Sequence, residues 1–199
     1  DIYEYDADNN VWTKKADFPG LGREKAVAFT IGTKAYVGLG RYIYQDGNDY
    51  KYNMLKDFYE FNSTENIWKK IKDYPGKGAV GASSFTIGNK GYVIGGDGIS
   101  GSQNDVWEYD PSTENWIEKA PFLINGIVDA TSFSINDKGY IGFGNSNLYY
   151  NTITGRSLWE YNPSDVSNGF DSNGNPKGLW TKKNTIPTDF LIDRDGYLI

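Results

Sequence analysis

Chemistry at neutral pH runs most often through His or Cys, and this chain of 199 residues contains neither. That removes the usual general base and the commonest metal ligand. It also removes thiolate nucleophiles, disulfides and thiolate-held metals. Carboxylate, guanidinium and hydroxyl chemistry remains. Glu4, Glu60, Glu108 and Glu160 each stand between two aromatics and are candidates for acid–base work. Their recurrence argues instead for a hydrogen-bonding role at a strand turn or between repeated units, because a reaction site is built once.

The stretches that do not repeat are better places for a ligand. They are "RYIYQDGNDYKYNMLK" (41–56), "DGISGSQN" (97–104) and "NSNLYYNTITGR" (145–156). Arg41 and Arg156, two of the four arginines, lie in them. A guanidinium there suits the carboxylate of a sugar acid or an acidic peptide. Tyr44 offers an apolar stacking surface, and Tyr, Asn, Ser and Gly supply adaptable hydrogen bonds. The candidate ligand-binding residues are therefore Arg41, Tyr44, Asp97, Asn147 and Arg156. No catalytic or metal-ligating residue and no cofactor is assigned. "DSNGN", within 164–178, is oxygen-rich like a calcium loop. Pro176 stands where that loop needs Gly, and Lys182 where it needs Glu, so the segment reads as a flexible turn.

The elements that must position these residues come from a long repeat. "AVAFTIGTKAYVGLG", "ASSFTIGNKGYVIGG" and "ATSFSINDKGYIGFG" align without gaps, and "DFLIDRDGYLI" begins a fourth copy. Each is two apolar runs around a polar turn, the pattern of a β-hairpin. A second half follows. "DIYEYDADNNVW", "KDFYEFNSTENIW" and "NDVWEYDPSTENW" carry an aromatic–Glu–aromatic strand and then a Trp at fixed distance. In the fourth copy the path from Tyr161 to Trp180 is longer. Period-2 alternation puts Trp107 and Tyr109 on one strand face and Glu108 on the other. The unit is thus four antiparallel strands, A to D, and no helical periodicity competes with it. Four short strands repeated radially make the blade of a β-propeller, with the recurring aromatics packing blade on blade.

On Gly95–Gly96 ending strand B, Tyr109 on strand C and Trp116 on strand D, the sequence resembles the kelch repeat. Leu39–Gly40 and Phe143–Gly144 depart from the pattern at the first glycine. The expected fold is all-β, a propeller of four-stranded antiparallel kelch-like blades, with three full blades and two half-blades. The boundaries are a half-blade at 1–20, blades at about 21–76, 77–124 and 125–187, and a half-blade at 188–199, within one domain spanning 1–199. The chain begins at Asp1 without Met, and it is read as a processed form or a section of a larger propeller, the alternative being a small four-bladed ring in which the two half-blades join as the closing blade.

The resemblance implies a non-catalytic module that binds a protein or glycan partner. Strands B and D end on the same side, so the B–C and D–A connections would share the binding face. The alternatives are a metal-independent sugar-active enzyme, such as a mutarotase or epimerase, and a purely structural surface segment. The family's copper-radical oxidase chemistry needs Cys and His and is excluded. The net charge of −6, with no long basic cluster, argues against a nucleic-acid partner. No apolar run is long enough to span a bilayer as a helix. The absence of Cys fits an extracellular or periplasmic location.

Overall fold

The computed structural model describes residues 2–123, 126–144 and 157–185. The aligned hairpins fold alike. β3 (Val27–Ile31) pairs with β4 (Lys34–Gly38), β9 (Ser83–Ile87) with β10 (Lys90–Ile94), and β15 (Thr131–Ile135) with β16 (Lys138–Gly142), all antiparallel. Each tight turn needs a left-handed residue, supplied by Gly32 (φ 58°), by Gly88 (φ 56°), and by Asn136 (φ 49°) with Asp137 (φ 58°). β7 (Phe58–Asn62) and β8 (Ile67–Ile71) complete the first four-stranded sheet, in the order β3-β4-β7-β8. β13 (Val106–Asp110) and β14 (Asn115–Glu118) complete the second, and β17 (Leu158–Asn162) and β18 (Leu179–Lys182) the third. β1 (Tyr3–Asp6) and β2 (Val11–Lys14) form a hairpin of the C–D type. The C–D turns are closed by the same device. Asp6, Asn62 and Asp110 each accept backbone N–H bonds from residues just ahead, the Asx-turn geometry. Among the described residues there is no helix.

The sheets stack through their faces as propeller blades do. The first core joins Phe29, Tyr36, Phe58 and Tyr74 to Val93, Tyr109 and Trp116 of the second blade. The second core joins Phe85, Tyr92, Ile94 and Val106 to Ile141, Tyr161 and Trp180 of the third. The middle blade serves both by strand alternation, with Val93 facing one way and Tyr92 and Ile94 the other. Each such side chain, fully buried, contributes roughly 1.5–3 kcal/mol.

The D-strand tryptophans also stitch neighbours together. Trp68 Nε1 donates to the Ala16 carbonyl (3.0 Å), Trp116 to that of Lys72 (3.0 Å) and Trp180 to that of Ala120 (3.2 Å), each acceptor lying just past the preceding D strand. The A strands pack innermost, with Ser84 Oγ donating to Ala28 O (2.7 Å) and Ser132 Oγ to Ser84 O (2.6 Å).

The first position of the kelch glycine pair is left-handed in all three blades. Leu39 (φ 56°) and Phe143 (φ 61°) adopt the conformation that Gly95 (φ 64°) takes freely. The backbone thus keeps the geometry of the second blade where the glycine is missing, at a cost of roughly 1–2 kcal/mol per residue. Gly40 and Gly96, at the second position, donate to Ala79 O (2.8 Å) and Ile127 O (2.9 Å) of the next blade. A Cβ there would lie 2.6 Å from Glu24 O or 2.7 Å from Ala79 Cβ, which explains the glycine.

Two of the connections carry strands of their own, and one expectation is revised. The first B–C connection is an ordered hairpin, β5 (Arg41–Asp46) on β6 (Asp49–Met54), because its Tyr-rich runs alternate around Gly47. The second carries a short ladder, β11 (Asp97–Gly98) on β12 (Gly101–Ser102). The insertion after Asn162 is not a loose turn. Asp171 is buried, its side chain against Lys119 of the second blade.

The recurring glutamates act within each blade. Register sets Glu60 opposite Tyr36, Glu108 opposite Tyr92 and Glu160 opposite Tyr140. The tyrosine hydroxyls donate to them at 2.9, 2.7 and 2.8 Å. Lys34, Lys90 and Lys138 pair with the same carboxylates. Lys119 adds a second cation to Glu108 at 3.2 Å, and Lys183 one to Glu160 at 3.0 Å.

Candidate functional site

Arg41 opens β5 directly after the left-handed Leu39–Gly40 step. Its backbone exchanges two hydrogen bonds with Glu24 (3.0 and 3.1 Å), so the D–A and B–C connections of the first blade are locked side by side. This brings their side chains together. Arg41 Nε donates to Glu24 Oε1 at 2.6 Å, and a terminal guanidinium nitrogen lies 2.5 Å from the same oxygen. The guanidinium also lies over the Tyr52 ring, 5.4 Å from its centroid. Both charged groups remain partly open to solvent, with 32% and 47% of their side chains exposed. An open cavity of about 320 Å³ lies against Gly22, Arg23, Glu24, Arg41, Tyr42 and Ile43.

Arg23 forms the floor of this region. Its guanidinium grips Asp57 with two bonds, 2.8 and 2.9 Å, and donates to Leu39 O at 3.2 Å. Phe18 and Tyr59 flank it at 4.9 and 5.8 Å. Burial pushes the Asp57 carboxyl up, but the Arg23 guanidinium outweighs that and holds it below the usual carboxylate range. Arg23 is committed to structure. Arg41 is the accessible cation, and a ligand carboxylate can reach it by displacing Glu24.

Only part of the expected site converges. Strand alternation places Tyr44 on the hairpin face opposite Arg41, where it stacks on Tyr42 at 6.0 Å. Asp97 holds in the second blade the position of Arg41 in the first. It exchanges two backbone bonds with Val80 (2.8 and 3.0 Å), as Arg41 does with Glu24. Asn147 and Arg156 lie outside the described residues. Sequence reasoning missed Glu24, Arg23 and Tyr52. The first two sit in "GLGREK", a D–A connection of the kind assigned to this face, and that placement was the available signal.

A family model described as N-acetylneuraminate epimerase matches residues 1–100, half of the chain, and a kelch-motif model matches residues 78–123. This chain belongs to the N-acetylneuraminate epimerase family of kelch-repeat proteins. Among curated members, the N-acetylneuraminate epimerase of Haemophilus influenzae (strain PittEE) is 33% identical over 89 residues, covering 45% of this chain and 23% of that protein. The N-acetylneuraminate epimerase of Pasteurella multocida (strain Pm70) is 37% identical over 90 residues, with the same two coverages of 45% and 23%. The match thus spans about a quarter of the length of these epimerases. A solved structure of YjhT superposes with a TM-score of 0.68 at 20% identity, covering 92% of this chain and 57% of that one. The family match and that likeness agree on a kelch β-propeller.

Proposed function

We propose that this chain is a section of a propeller that binds N-acetylneuraminate, a sugar acid, and takes part in its epimerisation. The observation that carries the reading is the family match over residues 1–100, which contain the Arg41–Glu24 pair. In this reading the three four-stranded sheets and the β1–β2 hairpin belong to a larger ring, in keeping with the share of its relatives' length that the chain spans.

The chemistry follows from the pair. Arg41 holds the sugar carboxylate through charge-assisted hydrogen bonds, and Glu24 is released from the guanidinium. Epimerisation at the anomeric hemiketal carbon takes a proton off its hydroxyl and puts one on the ring oxygen as the ring C–O bond breaks to the open-chain ketone. Reclosure on the other face of that carbonyl re-forms the bond and reverses both transfers, with no net oxidation. A free carboxylate within reach can accept the first proton and return it to the second oxygen. Tyr52, beneath the guanidinium, keeps the clamp oriented.

A second reading, recognition of a glycan or protein without turnover, is favoured by the hairpin β5–β6. Ile43 and Tyr52 are paired across its strands, and Tyr50 lies on the same face. All three are exposed, as in a docking surface. Proton NMR of N-acetylneuraminate with the protein separates the two. Accelerated exchange between the sugar's epimers supports the enzyme, and binding without exchange supports the module. Arg41→Ala should weaken binding by about 1.5–3 kcal/mol. Glu24→Gln should slow exchange more than it weakens binding. Absence of binding in the parent protein would discard both readings for this sugar.

A further inference from the structure

The three blades treat one repeated position in three ways. In the first blade Arg23 lies against the edge-packed rings of Phe18 and Tyr59, bonded to Asp57 at the start of strand C. In the third, the matching positions hold Ile127 and Ser157, both buried, with Phe122 packed edge-on against Trp159 at 5.5 Å. One solution is a closed ion pair and the other carries no charge.

The second blade has the carboxylate without the cation. Its rings are Tyr74 and Trp107 (6.1 Å, edge-on), its acid is Asp105, and Ala79 stands where Arg23 stands in the first blade. Tyr74 OH (3.0 Å) and Trp107 Nε1 (2.9 Å) both donate to Asp105 Oδ2. Asp105 Oδ1 is buried and has no partner, and neither has the buried Ser102 Oγ. A buried carboxylate oxygen without a donor costs free energy, and native structures rarely leave one. Beside these atoms lies a cavity of about 300 Å³ lined by Ser102, Asp105, Trp107, Glu118, Gly76 and Lys77. Lys77 lines the cavity as a wall residue. A Cβ on Gly76 would come within 2.5 Å of Asp105 Oδ2, so the glycine keeps the carboxylate side open.

We propose that this cavity binds a guanidinium group brought by a ligand, an arginine side chain in a peptide or free arginine, in the role that Arg23 plays within the first blade. Both residues line the cavity, and a planar cation with several N–H donors can supply the donors that Asp105 Oδ1 and Ser102 Oγ lack. Trp107, which lines the cavity, gives it an aromatic flank as Tyr59 does for Arg23. Glu118 on the cavity wall adds negative potential. The site is separate from the Arg41–Glu24 pair, so it stands or falls independently of the sugar-acid reading.

The probe is N-acetyl-L-arginine amide, titrated into the protein while the Trp107 indole N–H resonance is followed by NMR. We expect saturable binding that shifts this resonance, weakened at least about ten-fold in Asp105→Asn, the loss of roughly one charged hydrogen bond. Ala79→Arg, which supplies an internal arginine as in the first blade, should abolish binding while the far-UV spectrum stays that of the parent. It also serves if Asp105→Asn misfolds. Free L-arginine, run in parallel, separates the two sources: binding as tight as the amide probe's or tighter points to the free amino acid, and weaker binding to the side chain of a peptide. N-acetyl-L-lysine amide should bind more weakly than the arginine probe. No binding of the arginine probe, equal binding by the lysine probe, or unchanged binding in both variants would overturn the proposal.

Discussion

Lys119, one residue past β14, meets Asp171 of the following blade at 2.6 Å, with 3% and 1% of the two side chains exposed. The same ammonium lies 3.2 Å from Glu108 and donates to Pro176 O at 3.2 Å. The 164–178 insertion is therefore pinned to its neighbour, and the Ala120 N–H bond to Lys177 O (3.0 Å) reinforces the contact. Burial alone would raise the Asp171 carboxyl. Lys119 and the backbone N–H groups of Asn175 and Asn173 outweigh it and hold the group below its usual range. Asp171→Ala should cost about 3–5 kcal/mol in urea unfolding, because it removes the closer of the two carboxylates that neutralise a buried ammonium. Lys119→Met with Asp171→Leu should cost less than Asp171→Ala, since Lys90 still neutralises Glu108.

The repeat's tryptophans differ by what lies behind them. Trp116 packs on Phe58 and Tyr109, each at 5.0 Å, and is 8% exposed, whereas Trp12 is 66% exposed. Trp116→Ala should lose about 3–5 kcal/mol. Trp116→Phe should lose less, keeping ring packing but leaving Lys72 O without its donor. Trp12→Ala in this chain should change the denaturation midpoint little, within about 0.5 kcal/mol.

Glycine on strand B has a packing reason. A Cβ on Gly91 would stand 2.1 Å from the Phe29 ring of the preceding blade, and one on Gly139 would stand 2.2 Å from Phe85. Gly91→Ala should destabilise by about 1–3 kcal/mol through overpacking. A second change, Phe29→Leu, should cost less in the Gly91→Ala background than alone. Additive losses in thermal unfolding would show that ring and glycine are not coupled.

Acid should remove the stability that ionised Glu160 contributes. Its burial opposes ionisation, but Lys138, Lys183 and Tyr140 together lower its pKa from 4.5 to about 2. A depressed folded-state pKa gives stability that is present in full above the unfolded value and is lost as pH falls from about 4.5 towards about 2. Glu160→Gln should therefore be less stable at neutral pH. Its stability should fall less steeply than the parent's across that window, measured by urea midpoints at successive pH values.

The four-strand unit, its turns and its repetition were legible in the sequence because each rests on near neighbours. Period-2 alternation, left-handed turn residues such as Gly32 and Gly88, and the spacing from Tyr109 to Trp116 act within one hairpin. Repetition made weak signals additive. The glutamates show where that reading ended. Their recurrence marked them as structural, but only the strand B–C register sets Glu108 opposite Tyr92, and that register depends on how the intervening connection folds. Arg41 was legible as a candidate by residue type and place, whereas its partner Glu24 was decided by a backbone bridge between connections distant in sequence. Tyr44 was separated from Arg41 by strand alternation, because the B–C connection forms β5. Lys119 meeting Asp171, and Asp105 left without the arginine that its counterpart Asp57 has, depend on packing between blades and connections. Charge balance at such places is settled in three dimensions, where burial makes each unpaired group costly and only the tertiary structure says which groups are paired.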